Sequence, residues 1–179
     1  MNKPTILHLQ TGGTITGNVP EYKEIEHLSH IFLDYIDIWK YIIHSFQAPC
    51  EYKFIKVCDK DSREVLDIDR QRLVDEITKA YNSGIKSFLV THGTYTMPDT
   101  GKYIHENLPK EILNDISVVI TGAMYPWSIL WTDAPMNIWA SISSLLNIEK
   151  PLWVTICMHG KNWDIFKVEK DVENLVFHD

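Results

Sequence analysis

Short apolar runs recur along the chain, and between them lie longer segments with apolar residues at helical spacing. Each apolar run has the length and the β-branched or aromatic content of a strand, and most end at a cluster of glycine, threonine or charged residues. Strands that alternate with helices favour a parallel sheet covered by helices on both faces. The predicted strands are residues 5–9, 52–57, 86–91, 117–121 and 152–156.

Three of the intervening segments predict amphipathic helices. The clearest has apolar side chains at every fourth position, from Leu73 to Tyr81, and is followed by Gly84, where a helix stop is expected. Another begins with Pro98, which suits the first turn of a helix. The predicted helices are residues 69–82, 98–108 and 136–147.

Residues 28–46 form the most apolar stretch of the chain. Their apolar side chains lie almost all round a helical projection, which predicts a helix covered by the sheet on one side and by a partner subunit or a loop on the other. The stretch also contains Asp34, Asp37 and Lys40, which excludes a continuous apolar span through a bilayer. We therefore expect a homo-oligomer and no membrane partner.

Composition narrows the class of protein and of partner. The chain has 179 residues, 45% of them hydrophobic, so it can bury a core and is expected to form a single domain over residues 1–179. A formal charge of -7 without any lysine- or arginine-rich run argues against nucleic acid as a partner and favours a small molecule. The three cysteines lack disulfide or metal-site spacing, which fits a reducing cytoplasm.

Polar or glycine-rich motifs follow four of the predicted strands. In an open parallel sheet, ligands bind beyond the carboxyl ends of the strands, near the point where the strand order reverses. We therefore expect the four motifs to line one site. They are TGGT at residues 11–14, KDSRE at 60–64, HGTYT at 92–96 and GAMYP at 122–126.

Two threonines, Thr14 and Thr94, belong to this predicted edge. Two hydroxyls that converge on one pocket indicate acyl transfer, in which one attacks a carbonyl and the other manages protons. Simpler interpretations exist for each: a Gly-Gly-Thr turn can bind phosphate or merely reverse the chain, and Thr94 can cap the helix that follows. A nucleotide site is weakened because no Gly-x-Gly-x-x-Gly or Gly-Lys-Ser/Thr motif is present.

Taken together, the motifs resemble those of the bacterial-type L-asparaginase/glutaminase family. The resemblance spans nearly the whole chain and implies a flavodoxin-like three-layer α/β fold with a mainly parallel sheet of about five strands. It also implies hydrolysis of L-asparagine to L-aspartate and ammonia without a metal or organic cofactor. The matching segments are TGGTITG at 11–17, KDSREV at 60–65, THGTYTMPDT at 91–100, and TGAMYP with TDAPMN within 121–137.

The resemblance implies a role for each matched position. Thr14 matches the nucleophile that forms an acyl-enzyme, Thr94 the second catalytic threonine, and Lys170 its lysine partner, a role that requires partial burial to lower the lysine pKa. Tyr22 is matched to the tyrosine of the mobile loop, and Ser62 to the residue that holds the substrate α-carboxylate. The expected substrate-binding set is completed by Asp61, Arg63, Gly93 and Tyr95.

The chain departs from the family pattern at several places. The family usually has an aspartate that receives the substrate α-ammonium where this chain has Tyr95, and a neutral phenol cannot supply that charge. Either Asp61 or Glu64 replaces it, or asparagine binds weakly. Tyr125 stands where an arginine is common, and the usual C-terminal domain is missing, so the chain resembles short single-domain asparaginases. The alternatives are an inactive amide-binding module of the same fold and, more weakly, a nucleotide-binding domain.

Overall fold

The computed structural model describes residues 3–16, 49–129, 131–147 and 151–179. Its main sheet consists of β1 (Thr5–Gly12), β2 (Glu51–Lys60), β3 (Ser87–Thr91), β4 (Ser117–Thr121), β5 (Trp153–Met158) and β6 (Lys161–Asp164). The six strands lie in the order β2-β1-β3-β4-β5-β6. The first five pair in parallel, whereas β6 runs antiparallel to β5. A separate antiparallel hairpin is formed by β7 (Glu169–Asp171) and β8 (Val176–His178).

Helices cover both faces of this sheet. They are α1 (Asp67–Asn82), α2 (Met97–Asn107), the single turn α3 (Lys110–Leu113) and α4 (Ala134–Leu146). Alternate residues of a strand point to opposite faces, and the core divides accordingly. Leu7, Phe88 and Val118 pack with α1, α2 and α3. Their chain neighbours Ile6, Leu89 and Val119 pack with α4 on the other face. The three-layer flavodoxin-like fold implied by the resemblance is confirmed.

The strand order fixes where a ligand can enter. β1 lies between β2 and β3, so the direction in which strands are added reverses at β1. In this type of fold the crevice at the reversal, outside the carboxyl ends of the two central strands, is the usual ligand site. The motifs after β1 and β3, which contain Thr14 and Thr94, flank that crevice.

Several elements differ in extent from their sequence predictions. Helix α1 begins two residues earlier than predicted, at Asp67, because the buried carboxylate of Asp69 accepts the backbone N–H of Leu66 at 3.0 Å and fixes the first turn. β6, α3 and the hairpin β7–β8 were not predicted.

The predicted helix at residues 28–46 lies outside the described residues. In the part of the chain that the structure describes, no helix has both the length and the apolar character needed to cross a membrane.

Candidate active site

Glycines bring the ends of β1 and β3 into backbone contact. Gly12 and Gly13 have φ angles of 107° and 85°, a left-handed region that favours glycine. A Cβ on Gly13 would lie 2.3 Å from the Cα of Gly93, and one on Gly12 would lie 2.4 Å from the backbone N of Lys60. The residue after Gly13 is Thr14 and the residue after Gly93 is Thr94, so this contact brings the two threonines to one crevice.

Thr14 starts a short 3-10 turn, Thr14–Thr16, directly after the glycines. Its side chain is partly exposed, whereas the next residue, Ile15, is fully buried and anchors the turn in the core. The turn is closed by Thr16, whose Oγ1 donates to the carbonyl of Gly13 at 3.0 Å. Thr14 is thus held on a fixed backbone, with part of the residue exposed.

Ser62 ties the end of β2 to the end of β3. It is buried, and a Cβ on Gly93 would meet the Ser62 Cβ at 2.6 Å, so the two residues are in close contact. The Ser62 Oγ accepts the backbone N–H of Tyr95 at 3.3 Å, and the Ser62 carbonyl accepts the Thr96 hydroxyl at 2.6 Å. Together with the contact between Gly13 and Gly93, these contacts join the ends of β1, β2 and β3.

Lys170 reaches this edge from the hairpin. Its Nζ donates to the Oγ1 of Thr94 at 2.7 Å, and Thr94 is only 3% exposed. Opposite Lys170 in the hairpin lies Phe177, which is buried and holds β7 and β8 on the body of the protein. Burial lowers the pKa of Lys170 from its ordinary 10.5, the Arg63 cation lowers it further, and the Asp61 carboxylate opposes this.

The cationic side chains of Lys170 and Arg63 lie against the ring of Tyr95. The Nζ of Lys170 lies 3.8 Å from the ring centroid and the guanidinium carbon of Arg63 lies 4.9 Å from it. Both distances are within the range of cation–π attraction. Tyr95 is also 44% exposed.

Asp61 is held by Arg63. Its carboxylate accepts the backbone N–H of Arg63 at 2.9 Å, the Nε at 2.9 Å and the Nη2 at 3.0 Å. These hydrogen bonds, first those from the side chain, lower the pKa of Asp61 to about 2. Asp61 and Glu64 were the two acids suggested as replacements for the family aspartate. The charge of Asp61 is already balanced by the Arg63 guanidinium, and Glu64 is exposed on the same turn.

Sequence reasoning did not find the role of His92. This buried imidazole lies 2.7 Å through Nδ1 from the carbonyl of Gly93 and 2.9 Å through Nε2 from the Thr100 hydroxyl. A carbonyl can only accept, so Nδ1 donates and Nε2 accepts from Thr100. Burial lowers the pKa of His92 to about 4, which keeps the ring neutral at pH 7. Its hydrogen bonds to Gly93 and Thr100 fix the turn before Thr94. The position of His92 at the start of the His-Gly-Thr motif was the sequence signal that could have revealed this role.

Asp133 and Asn137 were also missed, and they organise the ends of β4 and β5. The Asp133 carboxylate accepts the backbone N–H groups of Met124 and Tyr125 at 2.9 Å and 3.1 Å, and it accepts the Asn137 Nδ2 at 2.8 Å. The Asn137 Oδ1 accepts the backbone N–H of His159, the residue after β5, at 2.9 Å. The Asp-Ala-Pro order just before the predicted helix at 136–147 was the available signal, because a proline suits the first turn of a helix.

The structure brings most of the predicted site residues together. Contacts link Asp61 to Arg63, Arg63 and Lys170 to Tyr95, and Lys170 to Thr94. Thr14 joins this group through the contact between Gly13 and Gly93. Tyr22 lies outside the described residues.

Comparison with known proteins identifies the family. No curated protein sequence matches the chain. A solved structure described as a probable cytoplasmic L-asparaginase from Campylobacter jejuni is 26% identical with a TM-score of 0.79, covering 94% of this chain and 50% of that one. L-asparaginase I from Vibrio cholerae O1 biovar eltor is similar in fold, with 21% identity, a TM-score of 0.73, and coverage of 98% and 51%. The chain thus spans about half the length of these proteins. The family model for the N-terminal asparaginase domain matches residues 5–172, so the chain belongs to the asparaginase family.

Proposed function

We propose that this chain is an L-asparaginase-type amidohydrolase that releases ammonia from the side-chain amide of a small substrate, with L-asparagine as the reference substrate. The observation that carries the proposal is the 2.7 Å hydrogen bond between the Nζ of Lys170 and the Oγ1 of the buried Thr94. A hydroxyl next to an amine with a lowered pKa is an arrangement suited to proton transfer. Membership of the asparaginase family supports the same chemistry.

In the proposed reaction, Thr14 is the nucleophile. Its oxygen attacks the amide carbon and its proton passes to the departing nitrogen, so that ammonia leaves and a threonine ester remains. Water then attacks the ester carbon while the Thr94–Lys170 pair accepts a proton from it. As the bond between that carbon and the Thr14 oxygen breaks, the pair returns the proton to this oxygen, which releases the acid and regenerates the Thr14 hydroxyl. Backbone N–H groups beside the glycines that precede Thr14 and Thr94 would stabilise the oxyanion of each tetrahedral intermediate. No metal or cofactor takes part in this scheme.

The remaining roles concern substrate binding. Ser62 is proposed to hold the substrate α-carboxylate, and Tyr22 is proposed for the loop position that it matches in the family. Residues 1–179 are proposed to act as one catalytic domain. A cytoplasmic location is supported by the free cysteines Cys50, Cys58 and Cys157, and the similar protein from Campylobacter jejuni is described as cytoplasmic.

Ammonia release from L-asparagine, compared between the wild type and Thr14→Ala, tests this proposal. We expect Thr14→Ala to lose about a thousandfold or more in turnover, because removal of a nucleophile disables the whole catalytic unit. The matched control is Thr16→Ala, since Thr16 lies in the same turn and its hydroxyl donates to the carbonyl of Gly13. Circular dichroism and thermal unfolding show whether each variant is folded.

Three results would contradict the proposal. Substantial ammonia release by folded Thr14→Ala would remove Thr14 from the role of nucleophile. Equal losses in Thr14→Ala and Thr16→Ala would mean that the turn, rather than the Thr14 hydroxyl, is needed. Binding of L-asparagine without turnover by the wild type would favour the amide-binding module.

A further inference from the structure

The charges around Tyr95 determine what kind of ligand the crevice accepts. Tyr95 is next to Thr94, its backbone N–H donates to Ser62, and its ring is partly exposed. The group at this ring is made of Lys170, Arg63 and Asp61, since the Asp61 carboxylate is bound to Arg63 through both Nε and Nη2. A ligand that reaches Thr94 therefore meets this group.

Within the described part of the chain, this group carries no surplus negative charge. The Arg63 cation and the Asp61 anion cancel, so the charge is that of Lys170, positive when protonated and zero when neutral. Glu64 is exposed on the same turn and acts on Arg63, but the charges that act on Lys170 are those of Arg63 and Asp61. The ring of Tyr95 already engages two cations, so a third cation placed there would meet both as like charges.

From this arrangement we propose that the site selects amides that bear a carboxylate but no α-ammonium group, that is, monoamides of dicarboxylic acids, in preference to L-asparagine. The inference rests on the proposed amide hydrolysis at this site. Succinamate is the simplest probe, because it is L-asparagine with hydrogen in place of the ammonium group. Its amide, its carboxylate and its carbon chain are otherwise the same.

The preference has a physical basis in desolvation. An ammonium group that enters the crevice loses hydration. Of the two described carboxylates on the 61–64 turn, Asp61 is already bound to Arg63 and Glu64 is exposed to water, so neither is a buried partner held ready for the ammonium. A charge-assisted hydrogen bond to an ammonium typically accounts for about ten- to a hundredfold in affinity, and its loss applies to L-asparagine alone. Succinamate has no group that requires such a partner, and its carboxylate is attracted by Lys170 when that side chain is protonated.

The test compares kcat/KM for ammonia release from succinamate and from L-asparagine in three proteins: wild type, Tyr95→Asp and Ile68→Asp. We expect the wild type to favour succinamate by about tenfold or more, and Tyr95→Asp to shift the ratio toward L-asparagine by about ten- to a hundredfold. Ile68→Asp is the matched control. Ile68 is 62% exposed in the first turn of α1, so the same new charge there should leave the ratio unchanged.

A binding measurement separates the inference from the proposed function. Calorimetric titration of Thr14→Ala with each compound reports preference without turnover. Suppose that the wild type releases ammonia from neither compound, that succinamate binds more tightly than L-asparagine, and that Tyr95→Asp reverses this order of affinity. The hydrolase proposal then fails and the selectivity stands. If L-asparagine is preferred in binding and turnover, or if Tyr95→Asp leaves the ratio unchanged, the inference is overturned and the hydrolase stands. If neither compound binds and the wild type releases ammonia from neither, both are overturned.

Discussion

Lys170 is the single residue whose ionisation matters most for the proposed chemistry. As a base it must be neutral, so activity should rise with pH as the solution passes through its pKa. That pKa is lowered by burial and by the cation of Arg63, and it is raised by the anion of Asp61. The charged or hydrogen-bonding groups that face its ammonium in the described structure are Arg63, Asp61, Tyr95 and Thr94.

Two neighbouring substitutions should move the acid limb of the pH profile of kcat/KM in opposite directions. Arg63→Gln removes a positive charge and releases Asp61, so the pKa of Lys170 rises and the limb moves to higher pH. Asp61→Asn removes the opposing negative charge, so the limb moves to lower pH. The profiles are measured by ammonia release over a series of buffers at constant ionic strength. Limbs that stay in place, or that move in the same direction, would show that Lys170 is not the titrating base.

At the scale of elements, the glycines that close the crevice should be intolerant of substitution. Gly13→Ala combines a left-handed backbone with a Cβ that would lie 2.3 Å from the Gly93 backbone, so we expect a loss of about 2–4 kcal/mol in the free energy of unfolding. The matched control is Gly160→Ala, at a φ of 73° with no atom within 4 Å of the new Cβ. Its cost should be only about 1–2 kcal/mol. Urea denaturation compares the two, and equal costs would contradict the argument from contact.

The strands and long helices could be predicted from the sequence because each buries a regular set of side chains. β1 and β3 to β5 are almost wholly buried, and α1 buries Leu73 and Ile77, which the periodicity predicted. β6 has only one buried side chain, Trp163, and β7 and β8 have three residues each, so their patterns are too short to be recognised.

The candidate site was accessible to sequence analysis only in part. Local motifs pointed to Thr14, Ser62 and Thr94, because each lies within three residues of the end of a strand and sits beside a glycine or a charged residue. Lys170 came from the family resemblance alone, since its hydrogen bond to Thr94 spans 76 residues of sequence. The bond between His92 and Thr100 depends on how α2 packs, which no local pattern encodes.

At the scale of the whole molecule, two buried histidines should make the protein sensitive to acid. Burial lowers the pKa of His8 to about 3 and that of His92 to about 4, against an ordinary 6.5. Between pH 6.5 and the lowered pKa of each histidine, the unfolded chain binds a proton that the folded chain does not. The free energy of unfolding therefore falls as the pH falls below 6.5. At pH 5 the loss is about 2 kcal/mol for each histidine.

The variant His92→Gln checks this sensitivity without changing the net charge at pH 7. Glutamine has one site fewer to protonate, so the fall in the free energy of unfolding from pH 7 to pH 5 should be about 2 kcal/mol smaller than in the wild type. Urea denaturation at both pH values gives this difference directly. An unchanged difference would indicate that His92 is protonated equally in the folded and unfolded states.

The oligomeric state is a second prediction at this scale. It arises from the apolar residues 28–46, which lie outside the described residues. The described surface adds three exposed large side chains around the start of α4, namely Tyr125, Trp131 and Met136. We expect a mass of at least a dimer in light scattering at micromolar concentration. A monomeric mass there would overturn the prediction.

The contact between Gly13 and Gly93 has a consequence for recombination between members of the family. The two residues are 80 positions apart, yet Gly13 cannot carry a side chain while the backbone of Gly93 occupies the place of its Cβ. A chimaera that takes residues 12–14 from one parent and residues 92–94 from another joins two surfaces that were selected separately. Shuffled libraries should therefore inherit these two segments as a single block, with crossover points chosen so that both come from the same parent.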